Sequence, residues 1–434
     1  MQYQDPRETI ARSPMTARQI IAIGLAILLN ALDGFDVLSI SFAAPGISKE
    51  WGIDRAALGI VLSMELIGMA VGSVALGQLC DRIGRRPTVL LCVVIMAVGM
   101  ALAALAQDIM SLSLCRLFTG LGIGGMLAAT AAVVAEFASA KRRNLAVAIM
   151  AGGYPLGAVL GGSAAAWLLA SYDWRAVFVF GALISAACIP LVWFFLPETV
   201  AWLVQKRPPE ALARINGTLA QLGHAPSSSL PPPEAKGRGA GIGQLFVGRL
   251  APLTLLLTLA YFAHIMTFYF ILKWAPKIVA DLGFPPSAAG GVLVWANIGG
   301  MAGSLVLSLL TQRFGVRGLT IGAMVLSTGL VALFGRVGAD LDTLTITAIV
   351  AGFCTNAGVV GLYAIFAQSF PTAVRASGTG FVIGVGRGGA ALSPIVAGAM
   401  FSAGAGLPTV ALAMGIGSLI AAVALLALRY EDGR

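Results

Sequence analysis

Charged side chains are scarce in this chain: Asp, Glu, Lys and Arg make up 11% of 434 residues, and there are two histidines. A soluble domain carries about a quarter of its residues as charges, so this composition excludes one. No GxxxxGK[ST] stretch is present, which excludes ATP hydrolysis through a phosphate-cradling loop. No HExxH stretch or Cys/His cluster is present, and His224 and His264 are far apart, so no metal site and no cofactor are expected. Cys80, Cys92, Cys115, Cys188 and Cys354 are odd in number and form no CxxC pair, so they are silent on redox compartment. Catalytic polar residues are not clustered, and an enzyme is not expected.

What the chain does have is apolar length. Hydrophobic residues make up 58% of it and mean hydropathy is +0.90, the composition of a polytopic membrane protein. Twelve spans are expected, at roughly 19–42, 57–79, 88–106, 111–136, 145–170, 175–196, 251–272, 288–311, 319–336, 343–368, 376–402 and 406–428. The N-terminus is polar and the first apolar run is too long for a signal sequence, so no cleavable leader is expected.

Net charge is +9. Its distribution argues against nucleic-acid binding. With the N-terminus inside, 20 of the 28 Lys and Arg fall on the inner side. Lys49, Arg55, Arg175, Lys273, Lys277 and Arg336 fall outside, and Arg116 and Arg387 fall within spans. This asymmetry places both termini in the cytoplasm and implies contact with anionic lipid.

A Pro/Ser/Gly-rich stretch from Ala225 to Gly243 reads as linker, preceded by an amphipathic helix near Pro209–Leu222. It separates six spans from six. The halves repeat: DRIGRR at Asp81–Arg86 matches QRFGVR at Gln312–Arg317 with an offset of 231. Phe137, Arg142 and Gly153 match Phe370, Arg375 and Gly386 with an offset of 233. The expected fold is all-α: two six-helix bundles in parallel repeat, at 1–197 and 251–434, joined by a cytoplasmic linker at 198–250 and enclosing a substrate cavity.

Span one holds two carboxylates, Asp33 and Asp36, three residues apart and so on one helix face. A carboxylate at the centre of a membrane helix costs about 2.5–3.5 kcal/mol even on the lenient insertion scale, so these two must face protein or a water-filled cavity. The plainer reading of Asp36 is a solvated residue near the outer interface. Between spans two and three, GQLCDRIGRRP at Gly77–Pro87 combines Asp81 with Arg82, Arg85 and Arg86. Glu136 at the inner end of span four, with Arg142 in the next loop, lies near this stretch and reads as part of a gate ion-pair network.

This loop resembles the GxLxDRxGRR signature of the major facilitator superfamily. RLFTGLGIGG, starting at Arg116, resembles the RxxxGxGxG pattern of the superfamily's fourth span, and PETVAWL at Pro197–Leu203 resembles its ending after span six. Within the superfamily, DGFDVLSISFAAP in span one resembles the aromatic acid:H⁺ symporter family, and the stretches around Arg387 and FYFILKWAP in span seven are consistent with it.

The resemblance implies secondary active transport driven by the proton gradient. The expected activity is alternating-access symport of an aromatic carboxylate such as a benzoate or hydroxybenzoate, by a monomer in the bacterial inner membrane. The alternative is proton-coupled drug efflux or transport of another organic anion. The late part of span five lacks the proline of efflux members, and the tail RYEDGR lacks the PETKG-like ending of sugar porters.

At about 1.5 Å per residue, Asp33 lies roughly 21 Å from the inner edge of span one and Arg116 about 8 Å below the outer edge of span four, at similar levels. Asp33, Asp36 and Arg116 are therefore the proton-coupling candidates. Burial favours the neutral carboxyl and a nearby arginine favours the ionised one, so a proton there responds to conformation. Arg116 tied to Glu65 is the structural alternative. Arg387 is the candidate cation for a substrate carboxylate. Tyr154, related to Arg387 by the 233 offset, is the leading aromatic candidate, with Phe35 and Tyr363 behind it. His264 and Asn297 are polar residues within spans; ligand contact or helix–helix bonding suits either.

Overall fold

The computed structural model describes residues 5–232, 242–371 and 374–428. Lys236, Arg238, the middle of the expected linker and the tail from Arg429 lie outside the described residues. Among those described, all regular structure is helical, and twelve helices are long and apolar enough to cross a membrane. They are span one (Ala17–Trp51), two (Arg55–Ile83), three (Arg85–Ala104), four (Ile109–Phe137), five (Arg143–Leu168), six (Arg175–Phe195), seven (Leu250–Asp281), eight (Pro286–Leu310), nine (Val316–Phe334), ten (Leu341–Ser369), eleven (Arg375–Ser402) and twelve (Leu407–Ala427). PETVAWL opens a short helix, Val200–Lys206, and the expected amphipathic helix is Ala211–Leu222.

The repeat extends beyond the loops. Asp108 caps span four by accepting from the Ser111 backbone N–H at 2.7 Å. Asp340 caps span ten by accepting from the Thr343 N–H at 3.0 Å. These N-caps stand 232 residues apart. A methyl group on Gly68 or Gly72 of span two would collide with the backbone carbonyl of Leu117 or Leu121 in span four. A methyl on Gly299 or Gly303 of span eight would collide likewise with the carbonyl of Ile349 or Phe353 in span ten. The glycines are spaced by 231 and their partners by 232. Both halves thus use small residues to bring backbones together where lipid supplies no hydrophobic drive between helices.

Backbone packing gathers the chain into two compact units that cut across spans one, two, five and six. The first comprises Met1–Val37, Gly68–Gly161 and Phe178–Lys236; the second comprises Leu38–Ile67, Gly162–Val177 and Gly237–Arg434.

Span lengths explain one departure from the sequence reading. Span seven has 32 residues, about 48 Å at 1.5 Å per residue, against a hydrocarbon core of about 30 Å. Lys273, read above as an outside loop residue, lies two turns inside this helix and is fully buried.

Candidate functional site

In the first unit, span one presents Asp33, Gly34, Phe35 and Asp36 in sequence. Asp33 is 1% exposed and Asp36 is 0% exposed. This excludes the solvated interfacial reading of Asp36. Gly34 lets span five approach: a methyl there would run into the Tyr154 backbone, whose Cα would lie at 3.1 Å. Phe35 is 3% exposed and meets Phe180 edge-on with centroids 5.5 Å apart, so it is a packing residue rather than a ligand contact in this conformation. The Tyr154 side chain is half-buried.

Arg116 is fully buried. Its Nη2 donates to the Asp36 backbone carbonyl at 2.8 Å, its Nη1 donates to Met100 Sδ at 3.0 Å, and its Cζ lies 5.4 Å from the Phe178 ring centroid. The guanidinium thereby joins spans one, three, four and six at the level of Asp36. Glu65, the partner of the structural alternative, lies 3.7 Å from Lys273.

At the other end of this unit lies the DRIGRR loop. Arg85 is buried, with Nη2 2.8 Å from Glu136 Oε1 and Nη1 3.1 Å from Asp81 Oδ1. Gly84 makes the turn at φ 112°, in the left-handed region where a side chain is strained. Glu198, read from sequence only as part of a family ending, sits against this turn. It accepts from the backbone N–H of Arg85 at 2.9 Å, Arg86 at 3.3 Å and Thr199 at 2.9 Å. A carboxylate at the start of a helix complements its exposed N–H groups and its dipole. Arg86 Nη2 donates to the Trp193 carbonyl at 2.8 Å. Arg82 and Arg142 are exposed.

In the second unit, span seven carries Tyr261, His264, Tyr269 and Lys273. His264 is fully buried, with Nδ1 2.9 Å from Ser418 Oγ and Nε2 2.8 Å from the Thr355 carbonyl. Both ring nitrogens are engaged by neighbouring helices, spans twelve and ten. Asn297 donates to the Leu293 carbonyl of its own helix at 2.8 Å. Tyr261 and Tyr363 share a hydroxyl–hydroxyl hydrogen bond of 2.9 Å, and Tyr363 is 42% exposed. Tyr269 and the half-buried Arg387 both act electrostatically on Tyr261. The glycines flanking Arg387 let span eleven lie close to span seven: Gly386 abuts the Tyr261 ring and Gly389 the Phe262 backbone.

Two ion pairs join spans two and seven in this unit. Arg55 Nη2 lies 2.8 Å from Asp281 Oδ2 at the helix ends, and Lys273 Nζ lies 3.7 Å from Glu65 Oε2 deeper in. Both Lys273 and Glu65 are fully buried. Apolar contacts seal the same region. Trp274 packs on Phe401 with centroids 5.1 Å apart, and Arg55 stacks over Phe401. Glu50 accepts from Arg175 and from Trp174 Nε1, each at 2.7 Å, fastening span one to the start of span six. Lys273 escapes sequence reading because charges near a span end are ordinarily assigned to the adjoining loop. The signal was present in Glu65, an acid within an apolar helix that requires a cation.

The Major Facilitator Superfamily model matches residues 26–272 and 257–434. The chain is 31% identical to the gallate transporter of Pseudomonas putida, covering 98% of this chain and 94% of that protein. It is 30% identical to the 3-(3-hydroxy-phenyl)propionate transporter of Escherichia coli, covering 97% of each. It is 30% identical to the 4-hydroxybenzoate transporter of Pseudomonas putida, covering 89% and 87%. Among solved structures it is similar to a D-xylose–proton symporter, with TM-score 0.73, 17% identity and coverage of 96% and 99%. It is also similar to a bacterial homologue of the lysosomal transporter Spinster, with TM-score 0.74, 17% identity and coverage of 94% and 96%. Sequence motifs, twelve spans and near-full-length relatives agree: this chain is a multi-pass membrane transporter, not an enzyme, and it belongs to the major facilitator superfamily.

Proposed function

We propose that this protein imports an aromatic carboxylate together with protons, as a monomer in the bacterial inner membrane, drawing on the proton gradient and on no cofactor. The observation that carries the reading is the pair of buried carboxylates on span one, Asp33 and Asp36, with Arg116 bonded at the same level. Carboxyls held this deep in a membrane protein are costly to keep and mark proton or ion pathways. The relatives' names supply the cargo class, since gallate, 4-hydroxybenzoate and 3-(3-hydroxyphenyl)propionate are all ring-bearing carboxylates.

The excess of Lys and Arg supports assigning the DRIGRR end to the cytoplasm and the Arg55–Asp281 end to the outside. On that orientation Arg85, Glu136 and Asp81 form the inner latch, helped by Arg82, Arg86 and Arg142 as a basic rim against anionic headgroups. Arg387 binds the cargo carboxylate and Tyr363 offers a ring and hydroxyl contact; within the first unit, Tyr154 is the aromatic candidate. His264 and Phe35 hold neighbouring helices together, and Asn297 bonds within its own helix. The two bundles at 1–197 and 251–434 alternate access about the linker.

The test is accumulation of labelled aromatic acids in proteoliposomes under an inward proton gradient. Wild type concentrates at least one acid of a benzoate, hydroxybenzoate and phenylpropionate panel, and Asp33→Asn does not. Accumulation by Asp33→Asn equal to wild type removes that carboxyl from the mechanism. Gradient-driven loss of preloaded acid in place of uptake replaces import with export.

A further inference from the structure

The Glu65–Lys273 pair has no evident need to be ionic. The contacts around it close the outer end with apolar surface: Trp274 on Phe401, and Phe42 close against span eight at Gly290. Two charges taken out of water lose their hydration. At 3.7 Å, and with a lysine that lacks the planar fork of arginine, this is a loose pairing for a carboxylate. A well-packed apolar pair would seal at least as firmly. The ammonium therefore points to a use beyond sealing.

What surrounds Lys273 indicates the use. Tyr269 stands one turn further in on the same helix face. Tyr269 and Arg387 both act on Tyr261, whose hydroxyl bonds that of Tyr363. Going inward along span seven, a cation is followed by phenol rings, and the ring cluster is adjoined by a second cation. Outside Lys273 stands the Arg55–Asp281 pair, with side chains 41% and 30% exposed. Water and salt screen such a pair, so it is the weaker of the two closures.

We propose that Lys273 is an outer carboxylate-binding station of this transporter, occupied by the Glu65 carboxylate when the outer end is closed. The cargo's carboxylate displaces Glu65 when that end opens, with its ring directed inward past Tyr269 toward Arg387. The exchange makes and breaks no covalent bond: one carboxylate leaves the ammonium, now facing outside water, and another replaces it. Glu65 thus acts as a built-in competitor for the cargo. This inference rests on the aromatic-carboxylate reading above.

The test uses the purified full chain, with 4-hydroxybenzoate and benzoate as probes and ligand-induced thermal stabilisation and tryptophan fluorescence as readouts. Glu65→Gln removes the competitor and binds at least tenfold more tightly than wild type. Lys273→Gln binds at least tenfold more weakly. Because that variant leaves Glu65 buried without its cation, the neutral double variant Glu65→Gln/Lys273→Gln guards against misfolding and also binds weakly. Wild-type binding with all three variants within twofold of it overturns the station and leaves the proposed function intact. Full wild-type affinity in the charge-swapped Glu65→Lys/Lys273→Glu protein reduces the pair to a lock and overturns the station equally. If wild type binds and accumulates no aromatic acid, the proposed function fails. The station then stands only if Glu65→Gln binds acetate or benzoate and the double variant does not; absence of that binding overturns it too.

Discussion

Arg116 donates a 2.8 Å hydrogen bond to the backbone carbonyl of Asp36, not only a charge to the acids of span one. A backbone acceptor cannot be protonated away, so this bond holds the guanidinium whatever the protonation of the neighbouring carboxyls. Lysine keeps the charge but has no planar fork with which to hold the Asp36 carbonyl and the Met100 sulfur together. Arg116→Lys is therefore expected to keep the protein folded and to lower gradient-driven accumulation at least tenfold. Arg116→Ala leaves the carbonyl and both acids without it and is expected also to lower the melting temperature in detergent. Normal accumulation by Arg116→Lys shows that charge alone suffices.

Gly34 separates the two acids for a reason of space. The Tyr154 backbone occupies the position where a side chain on residue 34 would begin, and Gly157 abuts the Ala31 backbone one turn further along the same contact. Gly34→Ala forces spans one and five apart, at a cost of about 1–3 kcal/mol typical of overpacking. The measurable outcome is a lower melting temperature and reduced transport, whereas Gly24→Ala, which meets nothing within 4 Å, leaves both unchanged. Equal behaviour of the two variants removes the close approach as an explanation for this glycine.

Much of this arrangement was legible in the sequence, and the gaps have physical causes. Twelve spans, the amphipathic helix before the linker, and the buried state of Asp33 and Arg116 follow from apolar length and the expense of charge in lipid. The partners did not follow. Helix rise puts Arg116 level with the acids of span one, but Met100 and Phe178 meet it through tertiary packing that no spacing rule encodes. Hydropathy puts Lys273 in a loop because it marks where apolar sequence ends, not where the helix ends. Glu198 was legible only as one letter of a motif, since its role depends on three N–H groups, two of them more than a hundred residues away.

Arg85 and Glu136 form a buried ion pair at 2.8 Å, with side chains 9% and 17% exposed. Removing Glu136 leaves the buried Arg85 with the exposed Asp81 as its ion-pair partner, a loss that approaches the cost of a broken buried pair, about 3–5 kcal/mol. Glu136→Gln is expected to destabilise by about that range, and Asp81→Asn by much less, since Asp81 is 71% exposed. Asp81→Asn instead slows cycling while substrate affinity stays near wild type. The check is a thermal melt paired with initial-rate and binding measurements. Loss of affinity with normal cycling in Asp81→Asn contradicts the latch assignment.

Burial pushes the Glu198 carboxyl above its ordinary range, and the backbone donors of Thr199, Arg85 and Arg86 pull it only part of the way back. The folded state therefore holds this proton more tightly than the unfolded chain does. The stability linked to the proton is fully present below the unfolded value and is lost as pH rises through the raised folded value. Comparison with Glu198→Gln isolates the effect, because Gln does not titrate and can still accept from the same donors. Melting temperatures of the two proteins, taken from about pH 5 to about pH 8 to bracket a raised carboxyl, should show wild type losing ground to Glu198→Gln as pH rises. A constant difference across that range indicates that the three N–H bonds outweigh desolvation and that Glu198 remains an ordinary carboxylate capping span three.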